Sequence, residues 1–172
     1  MDIEHLLEHR RAKDEQFATS ETSPLEPGAR ETFTGLDYFS PRADLVFQVT
    51  PRPGDGSEVR IATSDQRERV YRRARVATLD IESSSVDLTL YDTGHHGLFL
   101  PFKDATSGVS TYGGGRYLDL DPSQDGTVTI DFNLAYNPLC VYSDGYSCPI
   151  PPRENWLDIA IEAGEKSYTR RL

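Results

Sequence analysis

The fold of this chain is decided by the stretch Tyr117-Leu-Asp-Leu-Asp-Pro-Ser-Gln-Asp-Gly-Thr-Val-Thr-Ile-Asp-Phe132. Apolar and polar residues alternate at both of its ends, as in half-buried β-strands. Its centre, 121–126, has the Pro, Asp and Gly residues of a turn, so the stretch predicts a hairpin. The residues expected to face the core are Leu118, Leu120, Val128, Ile130 and Phe132. The opposite face would carry Tyr117, Asp119, Thr129 and Asp131, followed by Asn133. That face is either an ordinary solvated sheet surface or the lining of a pocket.

Similar strand patterns occur through the rest of the chain. The further predicted strands are 45–49, 58–62, 70–81, 86–91, 98–102 and 157–162. The first two flank the turn-rich segment 51–56 and are expected to form another hairpin. Residues 1–20 predict an N-terminal helix with Asp2 as its N-cap. The predicted fold class is therefore mainly β: a single antiparallel β-barrel or sandwich of about eight short strands with an N-terminal α-helix. One domain is expected over 1–172, with a β core over 45–165 and motif loops at 104–116 and 133–155.

The composition is strongly acidic. The 172 residues include 28 Asp and Glu against 18 Lys and Arg, for a net charge of -10. Such a surface repels phosphate backbones, so no nucleic-acid partner is expected. Lysine is rare beside arginine, which is typical either of a salt-adapted, halophilic protein or of a GC-rich genome. We favour the halophilic interpretation.

No apolar run approaches the length of a membrane span, so no membrane partner is expected. The N-terminus lacks the basic region and apolar stretch of a signal peptide, which predicts a cytoplasmic protein. In that compartment Cys140 and Cys148 are expected to be thiols or ligands, although their spacing would permit a disulfide. The sequence leaves the oligomeric state open.

The Gly113-Gly-Gly115 run lies between Tyr112 and Arg116. Successive backbone N–H groups can form an anion-binding nest. The run lacks the Lys-Ser/Thr pair of a P-loop and the spacing of a Rossmann turn. Arg116 either holds a ligand carboxylate or phosphate, or pins the loop through Asp104, Asp119 or Asp131.

The two cysteines admit three roles: structural thiols or an occasional bridge, metal ligands, or a nucleophile that would need a neighbouring base. A zinc site would need two more ligands, for which the sequence offers His95 and His96. Asp131 and Glu154, with nearby asparagines, could serve acid/base chemistry or bind a hard cation.

Several longer motifs carry a resemblance to a known family. They are Arg11-Ala-Lys-Asp-Glu-x-Phe17, Phe33-x-Gly-Leu-x-Tyr-Phe39, Asp104-x-Thr-x-Gly108, Thr111-Tyr-Gly-Gly-Gly-Arg-Tyr117, Asp131-Phe-Asn-x-Ala-Tyr-Asn-Pro-x-Cys140 and Cys148-Pro-x-Pro-Pro-x-Glu-Asn155. In these motifs the chain resembles the family called domain of unknown function 1684. The resemblance implies a bacterial or archaeal protein, and it assigns no role to the motif residues.

The first functional hypothesis is a module that binds a small polar or anionic ligand near the Gly-rich turn, because convergent polar groups are typical of ligand sites. The candidate ligand residues are Asp104, Tyr112, Gly113, Gly114, Arg116, Tyr117, Asp131, Asn133, Tyr136, Asn137, Glu154 and Asn155. The second hypothesis is an enzyme that uses Cys140 or Cys148 with Asp131 or Glu154 in thiol or metal-dependent chemistry. The third is a structural or interaction domain without a small-molecule site. The sequence specifies no cofactor.

Overall fold

The computed structural model describes residues 2–92, 94 and 97–169. Its helices and strands are α1 (Ile3–Thr19), α2 (Pro27–Glu31), β1 (Val46–Val49), β2 (Arg52–Pro53), β3 (Glu58–Ala62), β4 (Glu68–Ile81), β5 (Ser84–Asp92), β6 (Leu98–Phe102), β7 (Arg116–Leu120) and β8 (Val128–Asp131). All the pairings between these strands are antiparallel. The prediction of a mainly β, antiparallel fold with about eight strands and an N-terminal helix is confirmed.

Helix α1 begins at the predicted cap. Asp2 Oδ1 accepts hydrogen bonds from the backbone N–H groups of Glu4 at 3.0 Å and His5 at 3.2 Å. These bonds satisfy donors that the first helical turn leaves without partners. One narrow face of the helix is buried, with Leu6 and Phe17 among its buried residues. Among the described residues, neither helix has both the length and the apolar character needed to cross a membrane.

The larger sheet follows the order β2-β4-β5-β6-β7, with β3 also paired to β4. Both of its faces are covered, as the alternation in β6 illustrates. Leu98, Leu100 and Phe102 face the main core, whereas Phe99 faces an aromatic cluster on the opposite side. The main core contains Leu45, Ala77, Leu79, Ile81, Leu88, Leu90, Leu98, Leu100, Phe102, Leu118, Leu120, Val128, Ile130, Phe132, Ala135, Leu157, Ile161 and Ala163. The aromatic cluster contains Ile61, Tyr71, Tyr91, Phe99 and Tyr117.

Strands β1 and β8 form a second, two-stranded layer across the main core. Phe47 of β1 and Phe102 of β6 both pack edge-on against Phe132, with ring centroids 6.2 Å and 5.2 Å apart. The architecture is therefore sandwich-like. In the described part of the chain, no pairing joins β2 or β3 to β7 to close a barrel.

Both predicted hairpins are wrong in their pairing. Strand β7 pairs with β6 and strand β8 pairs with β1, so the two arms of the 117–132 stretch lie in different sheets. Strand β3 likewise pairs with β4 and not with β1. The predicted core faces are nevertheless correct, because Leu118, Leu120, Val128, Ile130 and Phe132 are all buried. The alternation of apolar residues indicates which face of a strand is buried, but it does not indicate which strand will be its partner.

The predicted last strand, 157–162, is irregular. Its apolar residues Leu157 and Ile161 are buried as the alternation requires. Leu157 N–H donates to the carbonyl oxygen of Lys103 at 2.8 Å, but Ile161 N–H donates to the Asp104 carboxylate at 2.7 Å. A side chain thus replaces the backbone partner that a strand ladder would need.

Candidate functional site

Arg116 is fully buried against the segment that ends the described chain. Its Nη1 donates to the carbonyl oxygens of Ala163 and Glu165, the latter at 3.2 Å. Its Nη2 donates to Ile161 O at 2.8 Å and approaches Asp104 Oδ2 at 3.4 Å. Burial lowers the pKa of the guanidinium, and Asp104 opposes that shift. Arg116 therefore forms the Asp104 pair, one of the alternatives raised by the sequence, and its ligand role stays a prediction.

Asp104 collects several donors in the same buried place. Its carboxylate accepts from the hydroxyl of Thr106 at 2.8 Å and from the hydroxyl of Ser107 at 3.1 Å. These two bonds hold the first motif loop together, and the bond from Ile161 N–H fastens the loop to the C-terminal segment.

Asn133 and Asp131 form a second group. Asn133 Nδ2 donates to Arg42 O at 2.8 Å and to Asp131 Oδ1 at 2.8 Å. Asn133 Oδ1 accepts from Arg42 N–H at 2.7 Å. The pair therefore holds the chain just before β1, and Asn133 is buried.

Asn137 belongs to a buried cluster beneath helix α1. Its backbone N–H donates to Glu165 Oε2 at 2.8 Å, and its Nδ2 donates to Lys166 O at 2.8 Å. The Glu165 carboxylate also accepts from the Tyr142 hydroxyl at 2.8 Å and from Lys13 Nζ of α1 at 2.5 Å. Asn137 thus helps to fix the helix to the β domain.

Glu154 bonds to the outer face of the larger sheet. Arg73 donates to both of its oxygens, at 2.7 Å and 3.0 Å, and Tyr91 donates to Oε1 at 2.5 Å. These donors lower the pKa of Glu154, with the Arg73 bonds contributing most. The carboxylate is thereby held ionised and engaged.

Asn155 inserts its side chain between β5 and β6. Its Oδ1 accepts from Thr89 N–H at 2.8 Å, and its Nδ2 donates to Thr89 O at 2.8 Å and Pro101 O at 2.9 Å. In the described part of the chain, the ladder between these strands is limited to Tyr91 and Phe99. The amide therefore supplies bonds that the ladder lacks.

These predicted residues form separate groups with different neighbours. Arg116 bonds to the C-terminal segment. Asp131 bonds to Asn133, which holds the chain before β1, and Glu154 bonds to β4 and β5. The structure instead brings four other predicted residues to one open cleft and its wall: Tyr117, Tyr136, Cys140 and Cys148.

The cleft has a volume of about 780 Å³, within the range of roughly 300–1,000 Å³ typical of small-molecule sites. It opens between the start of β4 and the loop 139–149. Its lining residues are Arg69, Val70, Tyr71, Phe99, Tyr117, Tyr136, Leu139, Gly145, Tyr146, Ser147, Cys148 and Pro149.

Aromatic rings from three strands form the floor of this cleft. Tyr71 of β4 stacks on Phe99 of β6 with centroids 5.8 Å apart, and Phe99 meets Tyr117 of β7 edge-on at 4.9 Å. Tyr136 continues the row at 5.8 Å from Tyr117. Phe99 and Tyr117 face this side because they alternate with the main-core residues Leu98, Leu100 and Leu118 along their strands.

The hydroxyl groups of the floor are held by neighbours. Tyr117 donates to the carbonyl oxygen of Pro149, and Tyr136 donates to Asp119 Oδ2 at 2.7 Å. Burial raises the pKa of both tyrosines, and the bond to Asp119 adds to the shift at Tyr136. Both therefore stay protonated at neutral pH.

Arg69 provides a positive charge at the rim. Its Nη2 donates to Ser147 O at 2.9 Å. Its charge opposes the rise that burial causes in the pKa of Tyr71. A guanidinium has five N–H donors, so it can hold an anion in addition to these contacts.

The two cysteines meet in the wall of the cleft. Cys140 N–H donates to Cys148 Sγ at 3.3 Å, and the Cys148 thiol hydrogen-bonds to the Cys140 sulfur. The Tyr112 hydroxyl also hydrogen-bonds to that sulfur. These donors, with Cys148 first, lower the pKa of Cys140 to about 6, whereas the Cys140 sulfur and burial raise the pKa of Cys148. No disulfide joins the two residues.

The Gly-rich turn brings Tyr112 to this place. A Cβ on Gly114 would lie 2.2 Å from the Tyr112 ring, so the ring folds back over a position that only glycine leaves open. Gly113 packs against the Gly108 backbone, and Gly115 has a φ of +95° with a Cβ position 2.6 Å from Phe102 O. The glycines thus serve close packing around a tyrosine.

Among the described residues, no group of three His, Cys, Asp or Glu side chains is placed to hold a metal ion. His95 and His96, which the sequence offered as zinc ligands, lie outside the described residues.

Sequence reasoning missed Arg69, Tyr71, Phe99 and Tyr146 as cleft residues. The sequence contains a signal for Phe99, because this residue lies between Leu98 and Leu100 in a predicted strand that is apolar on both faces. Such a strand indicates a sheet covered on both sides.

Comparison with known proteins gives the family of this chain. The profile described as "Protein of unknown function (DUF1684)" matches residues 31–166. The chain therefore belongs to this family, as its motifs predicted. No curated protein matches it.

A solved structure supports the fold. An uncharacterised protein of Haloarcula marismortui, determined by NMR in solution, is 39% identical to this chain and superposes with a TM-score of 0.72. The match covers 94% of this chain and 92% of the Haloarcula protein.

Proposed function

We propose that this protein binds a small aromatic carboxylate in the cleft between β4 and the loop 139–149. The observation that carries the proposal is the row of aromatic rings on the cleft floor, next to a guanidinium at the rim. The proposal keeps the anionic ligand expected from the sequence, but it assigns the positive charge to Arg69.

The floor suits a flat apolar group. Tyr71, Phe99 and Tyr117 present neighbouring rings, and a ligand ring can add to this row by stacked or edge-on contacts. Aromatic pairs contribute about 0.5–1.5 kcal/mol beyond the burial of their area. Leu139, which remains 39% exposed, adds an apolar contact at the side.

The rim suits an anion. Arg69 is the charged residue among the described residues that line the cleft, in a chain whose net charge is -10. Paired, planar N–H donors of a guanidinium match the two oxygens of a carboxylate. A neutral aromatic ligand would leave this charge unused.

Calorimetric titration with benzoate and phenylacetate tests the proposal. The matched probes are benzyl alcohol, which lacks the negative charge, and cyclohexanecarboxylate, whose ring is not aromatic. Both aromatic acids should bind more tightly than either matched probe. Arg69→Gln should weaken the binding of the acids by about tenfold or more, the effect of losing a charge-assisted hydrogen bond.

Arg60→Gln is the matched control, because Arg60 carries the same charge on β3 and pairs with Glu68 at 3.5 Å. Absence of binding for both aromatic acids would contradict the proposal. An equal effect of the two arginine substitutions would show that the charge acts at long range and not in the cleft.

We also propose that the protein functions in a high-salt cytoplasm. The acidic composition and the 39% identity to a protein of Haloarcula marismortui support this environment. Repulsion among the excess carboxylates destabilises the compact state, and salt screens it. The unfolding temperature should therefore rise steadily from low to molar KCl, as measured by circular dichroism. A flat or falling curve would contradict salt adaptation.

A further inference from the structure

Cys140 and Cys148 are in contact although eight positions separate them, because Cys140 N–H donates to Cys148 Sγ at 3.3 Å and each thiol shifts the pKa of the other. The contact is built by three segments of chain. Cys148 is fixed by Ser64, whose N–H donates to Cys148 O at 2.8 Å and whose hydroxyl accepts from Cys148 N–H at 3.1 Å. Cys140 lies in the short 3₁₀ turn Leu139–Val141, and Tyr112 reaches it from the Gly-rich turn.

The two thiols occupy unequal positions. Cys140 is the more exposed of the two and is half-buried, whereas Cys148 is only 7% exposed. The Cys148 thiol and the Tyr112 hydroxyl act as donors to the Cys140 sulfur, and they favour the thiolate there. The thiolate is the nucleophilic form of cysteine, so the accessible member of the pair is the reactive one.

No carboxylate or imidazole is needed to explain this reactivity. The sequence suggested Asp131 and Glu154 as bases. Asp131 accepts a hydrogen bond from Asn133, and Glu154 accepts hydrogen bonds from Arg73 and Tyr91. The hydroxyl and thiol donors around Cys140 stabilise the charge directly. An accessible thiolate next to a second, sheltered thiol is the arrangement of a redox-sensing cysteine with its resolving partner.

We propose that Cys140 and Cys148 are a reversible redox pair that a hydroperoxide converts into a disulfide. The Cys140 thiolate attacks one peroxide oxygen and the O–O bond breaks, leaving a sulfenic acid on Cys140 and an alkoxide or hydroxide that takes up a proton. The Cys148 sulfur then attacks the Cys140 sulfur, and the S–O bond breaks as the S–S bond forms. The departing hydroxide takes the Cys148 proton and leaves as water. The two thiols lose two electrons, and the peroxide is reduced to an alcohol and water.

The proposal does not depend on ligand binding, although Cys148 lies in the cleft wall. Its test uses the reduced full-length chain, freed of reductant, with one equivalent of hydrogen peroxide as the probe. Intact mass should fall by two hydrogen atoms in the monomer, both thiols should disappear from a thiol titration, and dithiothreitol should restore them.

Two single variants separate the roles of the thiols. Cys148→Ser should stop at a sulfenic acid on Cys140 that dimedone captures, because the resolving thiol is missing. Cys140→Ser should leave Cys148 unmodified under the same conditions. The same chain unfolded in urea is the control for the contribution of the fold.

Retention of both thiols by the folded wild type would overturn the proposal. So would disulfides that join different molecules. Equal rates of disulfide formation in the folded and the urea-unfolded chain would also overturn it, because the fold would then contribute nothing.

Discussion

The hydroxyl group of Tyr117 donates a hydrogen bond to the carbonyl oxygen of Pro149 and so joins the floor of the aromatic cleft to its wall. Tyr117 belongs to β7, whereas Pro149 follows Cys148 in the motif loop. The loop is also tied to the other side of the cleft, where Ile150 N–H donates to Ala62 O at 2.8 Å. The wall is therefore anchored on β7 at one edge of the larger sheet and on β3 at the opposite side.

Tyr117→Phe should destabilise the protein by about 1–3 kcal/mol, because it leaves a buried carbonyl oxygen without its donor. Urea unfolding monitored by fluorescence measures the loss. Tyr168→Phe is the control, since it makes the same chemical change in a ring that packs on Tyr142 outside the cleft. Equal stability of the two variants would contradict a role for the Pro149 bond.

Arg116→Ala should destabilise the fold by about 3–5 kcal/mol, because it leaves the Asp104 carboxylate buried without its partner. Arg52→Ala removes an exposed partner of Asp87 and should cost no more than about 1 kcal/mol. Chemical denaturation of both variants distinguishes a structural arginine from a ligand-binding one. Weakened ligand binding with unchanged stability in Arg116→Ala would favour the ligand role.

The folded state should lose stability in acid through Glu154. Hydrogen bonds from Arg73 and Tyr91 lower its folded pKa below the ordinary 4.5, so the unfolded chain takes up the proton first. The contribution is full above the unfolded pKa and is lost as pH falls through the folded pKa. Glu154→Gln should therefore flatten the acid limb of the unfolding free energy plotted against pH.

Glu58→Gln, at an exposed position of β3, is the matched control for that curve. It should leave the acid limb close to that of the wild type. If Glu154→Gln reproduced the wild-type curve, the hydrogen bonds to Glu154 would contribute no pH-dependent stability.

Alkylation of Cys140 should become fast at a lower pH than that of an ordinary thiol. In Cys148→Ser the serine hydroxyl still donates to the Cys140 sulfur, so its pKa should remain below the usual 9.0. Adding Tyr112→Phe removes one donor and should raise the midpoint of the rate against pH. Iodoacetamide kinetics followed by mass spectrometry give both midpoints, and coincident midpoints would exclude a contribution from Tyr112.

The strand faces could be predicted from the sequence because side-chain direction is a local property. The alternation in 117–132 identifies the core residues, and all of them are buried: Leu118, Leu120, Val128, Ile130 and Phe132. Pairing could not be predicted in the same way. Strand β8 pairs with β1, whose Phe47 packs against the main core. This partner lies more than eighty positions away in the sequence, so the pattern within β8 cannot indicate it.

The candidate site shows the same division. The motifs identify Tyr117, Tyr136 and Cys148, which all line the cleft. They also identify Asp104, Arg116 and Asn133, whose described hydrogen bonds tie together distant parts of the chain. A buried tie and a ligand contact use the same residue types, and only their three-dimensional neighbours distinguish them.

The amide of Asn155 makes the centre of the larger sheet depend on a residue more than fifty positions beyond the two strands that it joins. A ribosome that has released β5 and β6 has not yet supplied the group that links Thr89 to Pro101. The two halves of the sheet can therefore join fully only after Asn155 has left the ribosome. We expect nascent chains that stop before Asn155 to remain protease-sensitive, because β5 and β6 then lack this link.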